Sequence, residues 1–300
     1  NIAIRSLVGP GGTAVISGYE HNAVTRPLYA IPGVKVKEAA GPLFDPEGVY
    51  AAFEREVTSD VDAVICNHVS NVFGFIQPVG RIAQLCKERG VPLIVDASQS
   101  AGMLSVDMEN WGAAFIAMPG HKGLYGPQGT GLLLCGGQVQ PLLYGGTGSL
   151  SAQQEMPDFL PDRLEAGTHN VCGAAGLLEG MKFVARTGTD RIHRHERALA
   201  GRMMDALERC SGVTVFRGGD SQSGLCSMIV DGLDCEEAGE MLAKRGIAVR
   251  SGLHCAPLAH RTAGTVETGT IRFSFSAFNH PDQVDQAAAA VRELARTAKK

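Results

Sequence analysis

No stretch of this 300-residue chain is apolar for long enough to cross a bilayer, and no run of Lys or Arg disturbs a formal net charge of only −4. The first absence excludes a helical membrane span, and the second removes the electrostatic footprint of a nucleic-acid binder. Small molecules or other proteins are therefore the expected partners. Eight cysteines are present, but there is no CxxC pair and no Cys/His cluster at zinc-ligand spacing, so no metal centre is expected. Cys66 in VDAVICN and Cys135 in GLLLC sit in apolar runs and read as small buried hydrophobes. Such usage suits a reducing compartment, the cytoplasm, better than a disulfide framework. Short-period repeats, low-complexity tracts and a Gly/Ser linker are missing too. No signal peptide is visible. The first residue is Asn, and NIAIRSLVGPGG reads as the end of a helix already under way, so a preceding segment is expected outside the sequence.

What is present is a repeated α/β grammar. GTAVISGYEHN, VDAVICNHVSN, VPLIVDASQ and AAFIAMPGHKG each run from a β-branched apolar stretch into a polar cluster. Val, Ile and Leu without alternation predict strands buried on both faces of a parallel sheet. YAAFEREV and PVGRIAQLCKERG have the apolar spacing of crossover helices. His21, Asn71, Asp96 with Gln99, and Lys122 all fall at the carboxyl ends of these strands, where open α/β sheets collect ligands.

The grammar changes near Asp190. DRIHRHERALAGRMMDALERC reads as a charged amphipathic helix, VTVFRGG and GLCSMIVDG as strands, and DCEEAGEMLAKRG as a helix closing on Gly246. IAVRSGLH and GTIRFSFSAF are strand-like, and a last helix is expected with Asn279 as N-cap and Pro281 in its first turn. The expected organisation is a large, mostly parallel α/β domain over 1–184 and a smaller α+β domain over 185–300.

Lys122 lies in GHKGLYGPQGTG, where glycines let backbone and ligand approach closely. A desolvated lysine there is a candidate Schiff-base nucleophile; a surface lysine on a Gly-rich turn is the alternative. Asp96 ends the buried run VPLIVD and needs a cationic partner such as a protonated pyridine nitrogen, or else caps the next helix. Cys255 stands in the polar loop SGLHCAP, where the neighbouring imidazole would favour a thiolate; a structural thiol is the alternative. His21 and His68 are either site groups or satisfied polar residues at strand ends. Arg272 is either an anion holder or a surface arginine on an edge strand, and Arg250 has a weaker claim to the same role.

VDASQSAG followed by GHKGLYGPQGTG resembles the class V aminotransferase branch of fold type I pyridoxal-phosphate (PLP) enzymes. RSGLHCAPLAHR resembles the cysteine desulfurase and selenocysteine lyase members of that branch. The likeness runs over essentially all 300 residues. It implies PLP as cofactor, Lys122 as the lysine that carries it, Asp96 at the pyridinium nitrogen and His21 on the ring face. Asn71 and Gln99 would meet the phenolic oxygen, and His121 the phosphate. Thr168 of EAGT would be lent to the phosphate by a second subunit, implying a homodimer with a shared site. Arg272 would fork the carboxylate of an amino-acid substrate, with Arg250 nearby, and Cys255 would accept sulfur and pass it to an acceptor protein or thiol. Pro119 stands where relatives often have a phosphate-binding serine, and Leu253 where many have a second histidine. The implied activity is conversion of L-cysteine to L-alanine with a persulfide on Cys255. Selenocysteine lysis, cysteine-sulfoxide lysis or transamination with Cys255 as bystander is the nearest alternative, and a degenerate, non-enzymatic binding protein a further one.

Overall fold

The structure is a computed structural model that describes residues 1–298. In chain order the first part comprises α1 (Ile2–Leu7), β1 (Thr13–Ser17), α2 (Asn22–Tyr29), β2 (Lys35–Ala39), α3 (Pro46–Glu56), β3 (Ala63–Asn67), α4 (Val79–Arg89), β4 (Leu93–Asp96), α5 (Met108–Trp111), β5 (Phe115–Pro119) and β6 (Gly131–Cys135). The second part comprises α6 (Val171–Thr187), α7 (Thr189–Leu207), β7 (Val213–Phe216), β8 (Leu225–Val230), α8 (Cys235–Ala243), β9 (Arg250–Gly252), α9 (Pro257–Ala263), β10 (Thr270–Ser274) and α10 (Pro281–Thr297). Among the described residues no helix is long and apolar enough to cross a membrane.

The first six strands form one sheet in the order β2-β1-β3-β4-β5-β6, parallel except for β6, which runs antiparallel to β5. Every residue of β1 and β3 is buried, as expected of strands covered on both faces. The strand period of two then divides their side chains between two cores. Val15, Val64, Val95 and Ile116 face Phe53, Phe73 and Ile82, whereas Ala14, Ile16, Ile65, Ile94 and Phe115 face the side packed by Ile4 and Leu28. Strand order 1-3-4-5 sets the carboxyl ends of four sequence-distant strands side by side, with Asn67 level with Asp96 and Asp96 level with Ala117.

The second sheet is antiparallel, in the order β7-β8-β10-β9. Its core is formed by Met228, Ile271 and Phe273 against Leu199 and Met203 of α7 and Val284, Val291 and Leu294 of α10.

Two local expectations are corrected. Helix α10 is capped by His280, not Asn279: the Gln283 side chain accepts the His280 N–H at 3.0 Å in a capping box, while Asn279 Oδ1 accepts Ser276 N–H at 3.0 Å. The Asn279 oxygen is thus spent on the preceding turn. Cys135 is only half-buried, because β6 is an edge strand with incomplete cover, whereas Cys66 is fully buried.

Candidate active site

His21 follows β1 and caps α2, its Nδ1 accepting the Ala23 N–H at 3.0 Å. Asp96 is the last residue of β4, and its Oδ1 accepts the Ser98 N–H at 2.8 Å. That bond closes a turn and caps no helix: the next helix, α5, is capped by Asp107, so the capping alternative for Asp96 is not realised. Lys122 follows β5 in a loop closed by Gly126 N–H to the Gly120 carbonyl at 2.8 Å and Tyr125 N–H to the Lys122 carbonyl at 2.9 Å. The glycines of this loop answer a steric demand: a Cβ on Gly123 would strike the Ala101 carbonyl, and one on Gly102 would strike the Gly123 carbonyl. Only Gly lets the Asp96 turn and the Lys122 turn approach this closely.

Lys122, His121, Gln99 and Arg272 line one cavity of about 530 Å³, together with Glu196 and Ser223. Lys122 is exposed to solvent through the cavity mouth, with the cavity walls beside it. Burial lowers its pKa below the ordinary lysine value; Asp96 opposes that shift, and Arg272 and Arg250 add to it. His21 shares the neighbourhood: burial lowers its pKa, Lys122 lowers it further and Asp96 opposes.

Arg272 lies on β10, an inner strand between β8 and β9, so it is not a surface arginine on an edge. Its Nη1 donates to the Asn71 carbonyl at 2.6 Å and its Nε to Ser274 Oγ at 3.1 Å. Directly opposite in the β9–β10 ladder stands Arg250. Two like charges facing each other across a ladder repel, and burial with this repulsion brings the Arg272 pKa down to about 10. Such a pair leaves positive charge that an anion could offset.

Arg250 Nη2 donates to Cys255 Sγ at 3.3 Å. The imidazole expected to serve the thiol does something else. His254 is buried, its Nε2 pairs with Thr270 Oγ1 at 2.9 Å and with the Thr270 carbonyl at 3.1 Å, and burial first of all holds its pKa down to about 3. With Nε2 on Thr270 and Nδ1 without a partner among the described residues, the ring makes no hydrogen bond to Cys255, which is exposed. His254 and Cys255 both adopt left-handed backbone conformations, φ 51° and 56°, at a cost of about 1–2 kcal/mol per non-glycine residue.

Thr168 is not part of the cavity; it lies in a separate depression with Gly146, Thr147, Gly148 and His169. Asn71 is buried beside the site rather than lining it, its Nδ2 donating to the His254 carbonyl at 2.9 Å and its Oδ1 without a partner among the described residues. His68 packs edge-on against Trp111, and burial lowers its pKa to about 4. Pro119 closes β5 opposite Gly131, and Leu253 is exposed.

Two acids escape a reading of the sequence. Glu196, buried on α7, accepts from Tyr125 OH at 3.4 Å, and burial raises its pKa to about 7. Its spacing from Ile192, Leu199, Ala200 and Met203 puts it in the apolar stripe of the helix, a signal that was available. Glu20, next to His21, is fully buried and accepts from Asn67 N–H at 2.7 Å and Ser17 Oγ at 2.5 Å. No local pattern distinguishes it from an exposed acid.

The family model for class V aminotransferases matches residues 1–287. Proteins described as probable cysteine desulfurases from Methanothermobacter thermautotrophicus and Pyrococcus abyssi are 32% and 31% identical, covering 95% and 99% of this chain and 74% and 75% of their own length. Among solved structures, a cysteine desulfurase from Thermococcus onnurineus superposes with a TM-score of 0.88 at 30% identity, over 98% of this chain and 76% of that one. The Escherichia coli cysteine desulfurase CsdA superposes at 0.87 and 28% identity, over 99% and 76%. This is a fold type I architecture, and the chain belongs to the class V aminotransferase family.

Proposed function

We propose that the chain is a pyridoxal-phosphate-dependent cysteine desulfurase that moves the sulfur of L-cysteine onto Cys255 and leaves L-alanine. The observation that carries the reading is the Arg250–Arg272 pair. One arginine lines the Lys122 cavity and the other holds the Cys255 thiol, so an amino acid held there by its carboxylate lies between an amine and a thiol.

The residues present fit the cofactor. The cavity volume is in the usual range for such ligands, the glycine contacts leave backbone at its wall, and Lys122 is the desolvated amine a carbonyl group requires. When bound, PLP supplies an electron sink for charge at the substrate α-carbon. Lys122 would hold it covalently and would move the substrate α-proton, while Asp96 would meet the ring nitrogen. His21 would contact the ring, Asn71, from beside the cavity, and Gln99 would serve its phenolic oxygen, and His121 would serve the phosphate. Cys255 attacks the substrate sulfur: an S–S bond forms, the Cβ–S bond breaks, and both sulfurs are oxidised as Cβ is reduced to the methyl of alanine. One thiol and one cysteine thus become one persulfide and one alanine, with no outside oxidant.

Residues 1–184 form the cofactor-binding unit and 185–300 the smaller one. The exposure of Thr168, with Leu143, Tyr144 and Val171 exposed in the same part of the chain, supports a homodimer in which Thr168 serves the partner's site. Eight unpaired cysteines suit the cytoplasm, where a protein or small thiol would take the persulfide.

Mass spectrometry of Cys255 after incubation with L-cysteine should find one added sulfur, and Cys255→Ser should yield neither persulfide nor alanine in step with sulfide. Unchanged sulfur release from Cys255→Ser would mean another class V reaction. Arg272→Lys removes the planar fork. A hydrogen bond to a charged group is worth about 1.5–3 kcal/mol, so KM for L-cysteine should rise roughly 10- to 100-fold; an unchanged KM would assign the carboxylate elsewhere.

A further inference from the structure

The loop that presents Cys255 holds an unusual backbone. His254 and Cys255 are consecutive non-glycine residues with positive φ, 51° and 56°, a conformation that persists only where surroundings over-determine it. Four contacts do so. The Asn22 N–H donates to the Cys255 carbonyl at 2.8 Å, Asn71 Nδ2 to the His254 carbonyl at 2.9 Å, and Arg250 Nη2 to Cys255 Sγ at 3.3 Å. The fourth is the His254 ring, which is 2% exposed, meets Thr270 through Nε2 and stacks on His260 with centroids 5.7 Å apart. His260 is itself fixed by Thr265 Oγ1 at 2.7 Å. Of the four, the ring is the anchor that belongs to the strained pair itself and reaches into the core between β10 and α9.

We propose that His254 is a positioning residue: its buried imidazole, anchored on Thr270, holds residues 254 and 255 in their paired left-handed conformation and so fixes the Cys255 thiol beside Arg250. The ring acts through the backbone and not as a proton carrier. This deepens the desulfurase reading and rests on it for its consequence in turnover, though not for the geometry.

The test compares His254→Ala, His254→Asn and His254→Gly. All three remove the anchor. Alanine resists a positive φ, whereas glycine reaches it freely and asparagine tolerates it. The first readout needs no cofactor: the rate of Cys255 alkylation by iodoacetamide, followed by mass spectrometry in the cofactor-free protein. It should fall at least threefold in His254→Ala as the thiol, already exposed, leaves the guanidinium that favours its thiolate, and fall less in His254→Asn and His254→Gly. The second readout is single-turnover persulfide formation in the PLP-loaded protein, with the absorbance band and KM for L-cysteine as controls. The rate should fall at least tenfold in His254→Ala with KM unchanged, and should recover in part in His254→Asn and His254→Gly. Added imidazole should restore nothing.

Equal losses in all three variants with rescue by imidazole would overturn the proposal in favour of a proton carrier. Alkylation unchanged in all three would overturn it as well, and retained thermal midpoints in His254→Asn and His254→Gly keep that comparison valid if His254→Ala folds poorly. A wild-type protein that forms no persulfide would instead sink the desulfurase reading, and the alkylation series would still decide whether His254 anchors the loop.

Discussion

Lys122→Ala is expected to lower alanine production from L-cysteine by at least about 10³-fold, since one residue then fails both as covalent anchor and as acid–base group, and the second role alone is worth about 10²–10⁴. The environment of Lys122 explains why this amine is suited to the task. An ordinary lysine is almost wholly protonated at neutral pH and a poor nucleophile. Here burial favours the neutral amine, Arg272 and Arg250 add to that effect, and Asp96 limits it. Reaction of the wild-type protein with PLP should therefore fall as pH drops through the depressed Lys122 value, at lower pH than for an exposed lysine. Following the absorbance band of the reconstituted protein checks this. The band should be absent from Lys122→Ala and from Lys122→Arg alike, because arginine restores the charge but not the nucleophile. Full activity in either variant would remove Lys122 from the reaction.

The strands that place Lys122 were legible because burial on both faces leaves a local mark. TAVIS, AVICN, LIVD and FIAMP carry continuous apolar runs, and their ends gather the polar groups. KVKEA of β2 carries no such mark: it lies at the sheet edge and alternates charge with apolar residues. The apolar run GLLLC is visible, but nothing local says that β6 runs antiparallel to β5. Direction and register depend on what a segment pairs with, and that is a long-range property. The same limit hid the most informative feature of the site. Arg250 and Arg272 are 22 residues apart in sequence and become opposite neighbours only through the β9–β10 register. Likewise, adjacency in SGLHCAP suggested His254 as the partner of the thiol. The left-handed turn sends that ring into the core and leaves Arg250 at Cys255.

Glu20→Gln should stabilise the protein at pH 8 and change it little at pH 5. Glu20 is fully buried, Oε1 takes the donors from Asn67 N–H and Ser17 Oγ, and Oε2 has no partner among the described residues. Gln77 Oε1, in the same network through Ser17 and Asn67, is also unpartnered. A network with acceptors left over and no cation beside them favours a protonated acid. Burial, with a smaller push from the charge of Asp96, raises the Glu20 pKa from 4.5 to about 8, against the hydrogen bonds from Ser17 and Asn67. For an acid raised on folding, the contribution to stability is fully present below the unfolded value and is lost as pH rises through the folded one. Wild-type stability should thus decline between about pH 4.5 and 8 on this account, by on the order of 3 kcal/mol at pH 7 if no other group offset it. Glutamine keeps the shape and one acceptor oxygen but carries no proton to lose. Denaturant midpoints of the two proteins at pH 5 and pH 8 measure the difference directly: the gap between them should open with rising pH in favour of Glu20→Gln, by about 1–3 kcal/mol. A variant destabilised equally at both values would show that Glu20 is ionised in the fold and that its charge is compensated.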